Sequence, residues 1–200
     1  MSNLVAFNPN DPVQQQFLSS LALGETGNSS YAATEGVGGS NLVDAATDDF
    51  GFPQWSGQGN SHAAGIFQFQ PGTWHDLASQ YGLNFADTGD QEAGAWYLAQ
   101  QTYSAKTGGS LYGDLSNGTT SKLNSALAAI WPSVQGNAAN PQGLAAAFLG
   151  GEGSNLPFPA SRKPRLVELV RLEHLNRVAS FRTSKTGLNV SGLSSSEDLS

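Results

Sequence analysis

Glu25 stands directly behind an apolar run, Phe17-Leu18-Ser19-Ser20-Leu21-Ala22-Leu23-Gly24, and is followed by Thr26 and Gly27. A carboxylic acid that ends an apolar helix and faces a cleft is desolvated, which favours its protonated form. Such an acid can give a proton to the leaving oxygen of a glycoside near neutral pH. A glutamate in a solvated helix end would do no chemistry, so position alone does not separate the two readings. Glu35, Asp44, Asp48 and Asp49 lie in the loop-rich stretch that follows, and Asp48 and Asp49 are the candidates for a second carboxylate.

A second motif follows in order, Ala64-Gly65-Ile66-Phe67-Gln68-Phe69-Gln70-Pro71-Gly72-Thr73-Trp74. Its Gly-x-x-Gln-x-x-Pro-x-Thr-Trp pattern resembles the signature that follows the catalytic glutamate in lytic transglycosylases and related lysozyme-like domains. Together with the start at Glu25-Thr26-Gly27 and the later Ala128-Ala129-Ile130-Trp131-Pro132-Ser133, it resembles the lambda-phage lysozyme family over residues 13–150. The resemblance implies peptidoglycan glycan strands as substrate and Glu25 as the acid. It also implies a one-carboxylate route to a 1,6-anhydromuramic product. Hydrolysis with Asp48 or Asp49, and a lysozyme-like domain without turnover, are the competing readings.

The residues around Glu25 then take candidate roles. Gly65 would let backbone approach a sugar, because a side chain there would block it. Gln68 offers a donor and an acceptor on one flat group, suited to a hydroxyl or an N-acetyl amide, or to bracing the loop from within. Trp55 sits in a loop with little core to join, which makes it a candidate substrate contact. Thr26 joins the substrate-binding set beside Glu25. Trp131 suits either the core or a cleft wall, whereas Phe67 and Trp74 read as core.

Other chemistries find little support. The chain has no cysteine, which removes disulfides, thiol nucleophiles and thiolate metal sites. His62, His75 and His174 have no metal-ligand spacing, and each reads as a surface or locally hydrogen-bonded histidine. The run Gly36-Val37-Gly38-Gly39-Ser40 lacks the Lys-Ser/Thr ending of a phosphate loop. No cofactor is implied by any motif. Only two of the nine basic residues, Lys106 and Lys122, precede residue 162, against twelve of the sixteen acidic ones. So acidic a body argues against nucleic acid as its ligand.

The elements that must position these residues are mainly helical. The apolar spacing predicts helices over 14–23, 73–81, 90–105, 121–131 and 142–149, the first capped by Asp11 with Pro12 in its first turn. Residues 26–61, rich in Gly, Ser, Asn and Asp, read as long loops around a small sheet with an extended piece at 41–43. The expected fold is therefore α+β: a lysozyme-like, mainly helical domain over 1–150 with a small loop-rich β insertion. A linker is expected at 151–161, a basic amphipathic helix at 162–185 and a flexible tail at 186–200.

The apolar residues from Leu166 to Phe181 are too many for a helix alone in water, and Glu168 and Glu173 among the arginines suggest docking on a protein rather than on lipid. A phage particle or a secretion machine is the expected partner. The first twelve residues do not resemble a signal peptide, and no stretch is apolar enough to span a bilayer. The expectation is synthesis in the cytoplasm and action on the cell wall, as a virion component or as a released endolysin.

Overall fold

The computed structural model describes residues 4–27, 46–54, 62–137 and 140–150, all within a unit spanning Met1–Pro159. The first helix, α1, runs Pro12–Thr26. Asp11 Oδ1 accepts from the N–H groups of Val13 at 2.9 Å and Gln14 at 3.1 Å, which satisfies two of the donors a helix start leaves open. Gly27 ends the helix at φ 60°, its N–H turned back to the carbonyls of Ala22 and Leu23. The expected end at 23 thus lies a turn too early. Gly24 keeps helical backbone and Gly27 supplies the left-handed cap, which places Glu25 inside the last turn of α1.

Helix α2 spans Pro71–Tyr81 and α3 spans Thr88–Thr107. Asp87 caps α3 by accepting from the Gly89 N–H at 2.9 Å. Short helices α4, Leu111–Ser116, and α5, Leu123–Leu127, follow, then a 3-10 turn at Pro132–Gln135 and α6 at Gly143–Gly150. Helix α4 has no counterpart among the expected helices, being too short to show a period, and the helix expected over 121–131 ends at Leu127. Trp131 is extended instead, at φ −122° and ψ 89°, as expected of a residue that precedes proline.

Helix α1 packs against α3, α4, α6 and the 3-10 turn, while α5 packs against α3, α6 and that same turn. Phe17, Leu18, Leu21, Trp74, Trp96 and Trp131 are fully buried between them. Phe69, Trp74 and Phe85 meet edge to face, with ring centroids 5.1 Å apart for Phe69–Trp74 and 5.0 Å for Trp74–Phe85, the geometry that aromatic quadrupoles favour. The core positions expected for Phe67 and Trp74 are found.

The described residues form a mainly helical fold, as expected, and most of the β insertion expected over 26–61 lies outside them. Among the described residues there is no strand, only isolated antiparallel bridges at Thr47–Pro53 and Ala64–Phe69. In loop 46–54 a side chain takes part of the place of a partner strand, since Asp48 Oδ1 accepts from the N–H groups of both Phe50 and Phe52 at 2.9 Å. The extended piece at 41–43 lies outside the described residues, as do the linker at 151–161, the helix at 162–185 and the tail at 186–200. No helix among the described residues is long and apolar enough to cross a membrane.

Candidate functional site

The last turn of α1 carries half-buried Glu25 to a place where three segments meet. The first contact comes from the 3-10 turn, where the Ser133 hydroxyl donates to Glu25 Oε1. Two residues from the end of that turn, Asn137 Nδ2 donates to the Gly24 carbonyl at 2.5 Å. Gly24 faces Ser133 closely, and a Cβ built there would lie 3.4 Å from Ser133 Oγ. Segment 131–137 is therefore anchored to α1 at two successive residues, one of them Glu25.

The second contact is with hairpin 64–69. Ala64 and Phe69 exchange N–H···O=C bonds of 2.9 and 2.8 Å, closing a four-residue loop over Gly65, Ile66, Phe67 and Gln68. Thr26 Oγ1 lies 3.2 Å from the Ala22 carbonyl oxygen and 3.3 Å from that of Ile66, so its hydroxyl proton is directed at backbone beside Glu25. Trp131 Nε1 donates to the Phe67 carbonyl at 2.8 Å in the buried interior. Helix end, hairpin and segment 131–137 are each bonded to the other two.

Gln68 is the one non-glycine residue at positive φ among the described residues, at 50°. That conformation costs on the order of 1–3 kcal/mol and persists where the surroundings over-determine it. Here its own amide contributes, since Gln68 Nε2 donates to the Gly65 carbonyl at 2.7 Å and its backbone N–H to the same oxygen at 3.1 Å. The bracing role considered for Gln68 is thus present in the geometry, and its side chain remains half-exposed.

Two candidates require correction. Gly65 is buried, and the groups close to it are interior ones: a Cβ there would lie 2.4 Å from Gln91 Oε1 and 2.8 Å from Phe85 Cζ. With φ at 77°, the position needs glycine for backbone and packing rather than for sugar approach. Trp131 is 1 % exposed, too little for an indole to stack on a ligand. Its part is to hold the hairpin from below.

The candidate second carboxylates differ in setting. Asp48 accepts from the Phe50 and Phe52 N–H groups through Oδ1. Its Oδ2 lies 2.5 Å from His75 Nε2 and 3.3 Å from Gln54 Nε2. Burial works against its charge, but the Phe52 N–H, the His75 side chain and the Phe50 N–H outweigh it and hold the carboxyl below its ordinary value. Asp49 is exposed. Trp55, Glu35, Asp44 and His174 lie outside the described residues. His75 is locally hydrogen-bonded, and no group of three metal-ligating side chains occurs among the described residues.

Neither Ser133 nor Asn137 carries a functional signal of its own in the sequence, apart from the place of Ser133 in Trp131-Pro132-Ser133. Nothing local indicates which way a serine after a proline will point.

No protein-family model matches the chain, and no curated protein matches it. Among solved structures, the chain is similar to bacteriophage lambda lysozyme complexed with a chitohexasaccharide. The TM-score is 0.51 at 20% identity, over 74% of this chain and 97% of that one. The two share a lysozyme-like, mainly helical fold.

Proposed function

We propose that this chain is a lysozyme-like glycosidase that cleaves the β-1,4 bond between N-acetylmuramic acid and N-acetylglucosamine in bacterial peptidoglycan, with Glu25 as its acid. The observation that carries the reading is the seat of Glu25: in the last turn of α1, bonded by Ser133 and flanked by the Gln68 hairpin, on a fold shared with a lysozyme bound to a chito-oligosaccharide. The motifs around Glu25, Gln68 and Trp131 occur in the order that the lysozyme resemblance requires.

The finer reading is lytic transglycosylation. Glu25 gives its proton to the glycosidic oxygen as the bond from the muramic anomeric carbon to that oxygen breaks. Its carboxylate then takes the proton of the muramic C6 hydroxyl as that oxygen bonds to the anomeric carbon. An anhydro product forms and no water is consumed. The attacking group is already held on the same sugar, which replaces a second catalytic carboxylate by proximity. The engagement of Asp48 by Phe50, Phe52, Gln54 and His75 supports this route, because a nucleophile or general base needs a carboxylate oxygen open to the reaction. A phage setting, with residues 162–185 docking the enzyme on a particle, accompanies the reading. Deleting residues 160–200 should then leave wall cleavage intact and release the enzyme from the particle, whereas retention would count against docking.

The test is mass spectrometry of soluble fragments from purified peptidoglycan treated with the wild type and with Glu25→Gln. Anhydro-ended muropeptides from the wild type alone are expected. Reducing ends would replace transglycosylation by hydrolysis, and equal release by Glu25→Gln would remove Glu25 from the reaction.

A further inference from the structure

The hydroxyl of Ser133 donates to the Glu25 carboxylate, and it arrives from a segment 108 residues away in sequence. Three features make that approach depend on the fold as a whole. Pro132 starts a 3-10 turn that places Ser133 at its second position. Gly24, buried in α1, lies directly against the serine, with an added Cβ reaching ordinary contact at 3.4 Å from Ser133 Oγ. On either side the segment is tied down, by Asn137 to the Gly24 carbonyl and by Trp131 to the Phe67 carbonyl. A hydroxyl on an unanchored surface loop would rotate into water. This one is held from both sides against the last turn of the helix that carries the acid.

We propose that Ser133 is a positioning residue for Glu25: its hydroxyl selects the carboxyl orientation used for proton transfer and, as a donor, favours the ionised form that must take the second proton. The proposal rests on the reading of Glu25 as the acid. A donor to a carboxylate stabilises the charged form, so its loss leaves an acid that holds its proton more tightly. A carboxyl held less firmly also spends less time aligned with the glycosidic oxygen, and misplacement of that kind lowers turnover rather than substrate binding.

The experiment measures kcat and KM for peptidoglycan solubilisation against pH in the wild type, Ser133→Ala and Ser133→Thr, with Glu25→Gln alongside. For Ser133→Ala, kcat should fall about tenfold with KM near the wild-type value. Its alkaline limb, where the acid loses its proton, should move to higher pH. Ser133→Thr keeps the donor and should restore the wild-type limb. Should Ser133→Ala not fold, as judged by circular dichroism, Ser133→Cys, near-isosteric and a weak donor, is expected to shift in the same direction. An unshifted limb with unchanged kcat in folded Ser133→Ala or Ser133→Cys would overturn the proposal while an inactive Glu25→Gln left the acid assignment standing. An active Glu25→Gln would instead overturn that assignment, and the proposal with it.

Discussion

Trp131 Nε1 and the carbonyl oxygen of Phe67 form a 2.8 Å hydrogen bond in the buried interior, joining the turn that carries Ser133 to the hairpin that carries Gln68. The segment whose Ser133 meets Glu25 and the hairpin that carries Gln68 are thus tied together through a buried tryptophan.

Replacing Trp131 by Phe keeps most of the ring in place but leaves the Phe67 carbonyl buried without its donor. An unmade buried hydrogen bond costs about 1–3 kcal/mol, so Trp131→Phe should lower the urea-unfolding free energy by that amount. Wall-cleaving activity should fall more than stability alone explains, because Ser133 and Gln68 lose their common support. A variant as stable and as active as the wild type would show that the bond holds neither segment.

Gly65→Ala is expected to be more damaging than its one added methyl suggests. At φ 77° an alanine is strained, by about 1–2 kcal/mol. Its Cβ would also meet Gln91 Oε1 at 2.4 Å and Phe85 Cζ at 2.8 Å, which adds about 1–3 kcal/mol of overpacking. Thermal denaturation should show a clear fall in Tm. A Tm within a degree or two of wild type would mean that the hairpin relaxes freely.

Asp48 gives stability a pH dependence of definite sign. Its folded carboxyl is held below the ordinary value, 3.8. Its contribution is therefore fully present above that value and is lost as the pH falls from about 4 through the lower folded value. Asp48→Asn should be less stable than wild type at pH 7, and the gap should narrow at pH 3. A gap of constant size would show that the charge of Asp48 is not what holds loop 46–54 to His75. The same variant addresses the chemistry: retained cleavage fits the one-carboxylate route, whereas complete loss in a folded protein would favour a hydrolase that uses Asp48.

The residues of the site were legible in the sequence to different depths, and the difference follows the range of the forces involved. Glu25 could be placed behind an apolar helix because Asp11, Pro12 and the spacing of Phe17, Leu18 and Leu21 act within a turn or two of one another. The end of α1 is not legible in the sequence because Gly24 and Gly27 carry the same local signal, and it is Gly27 that takes the left-handed cap. Pro132 announced a break, and its effect on Trp131 is equally local.

Tertiary structure alone decided where Trp131 points, which hydroxyl meets Glu25 and what Asp48 binds. The partners in those contacts lie 64, 108 and 27 residues apart for Trp131–Phe67, Ser133–Glu25 and His75–Asp48. No periodicity or turn propensity reaches that far. They form because helices α1, α2 and α5 and the turns between them are brought together by a shared apolar core, and polar groups enclosed in that process must then find partners with one another.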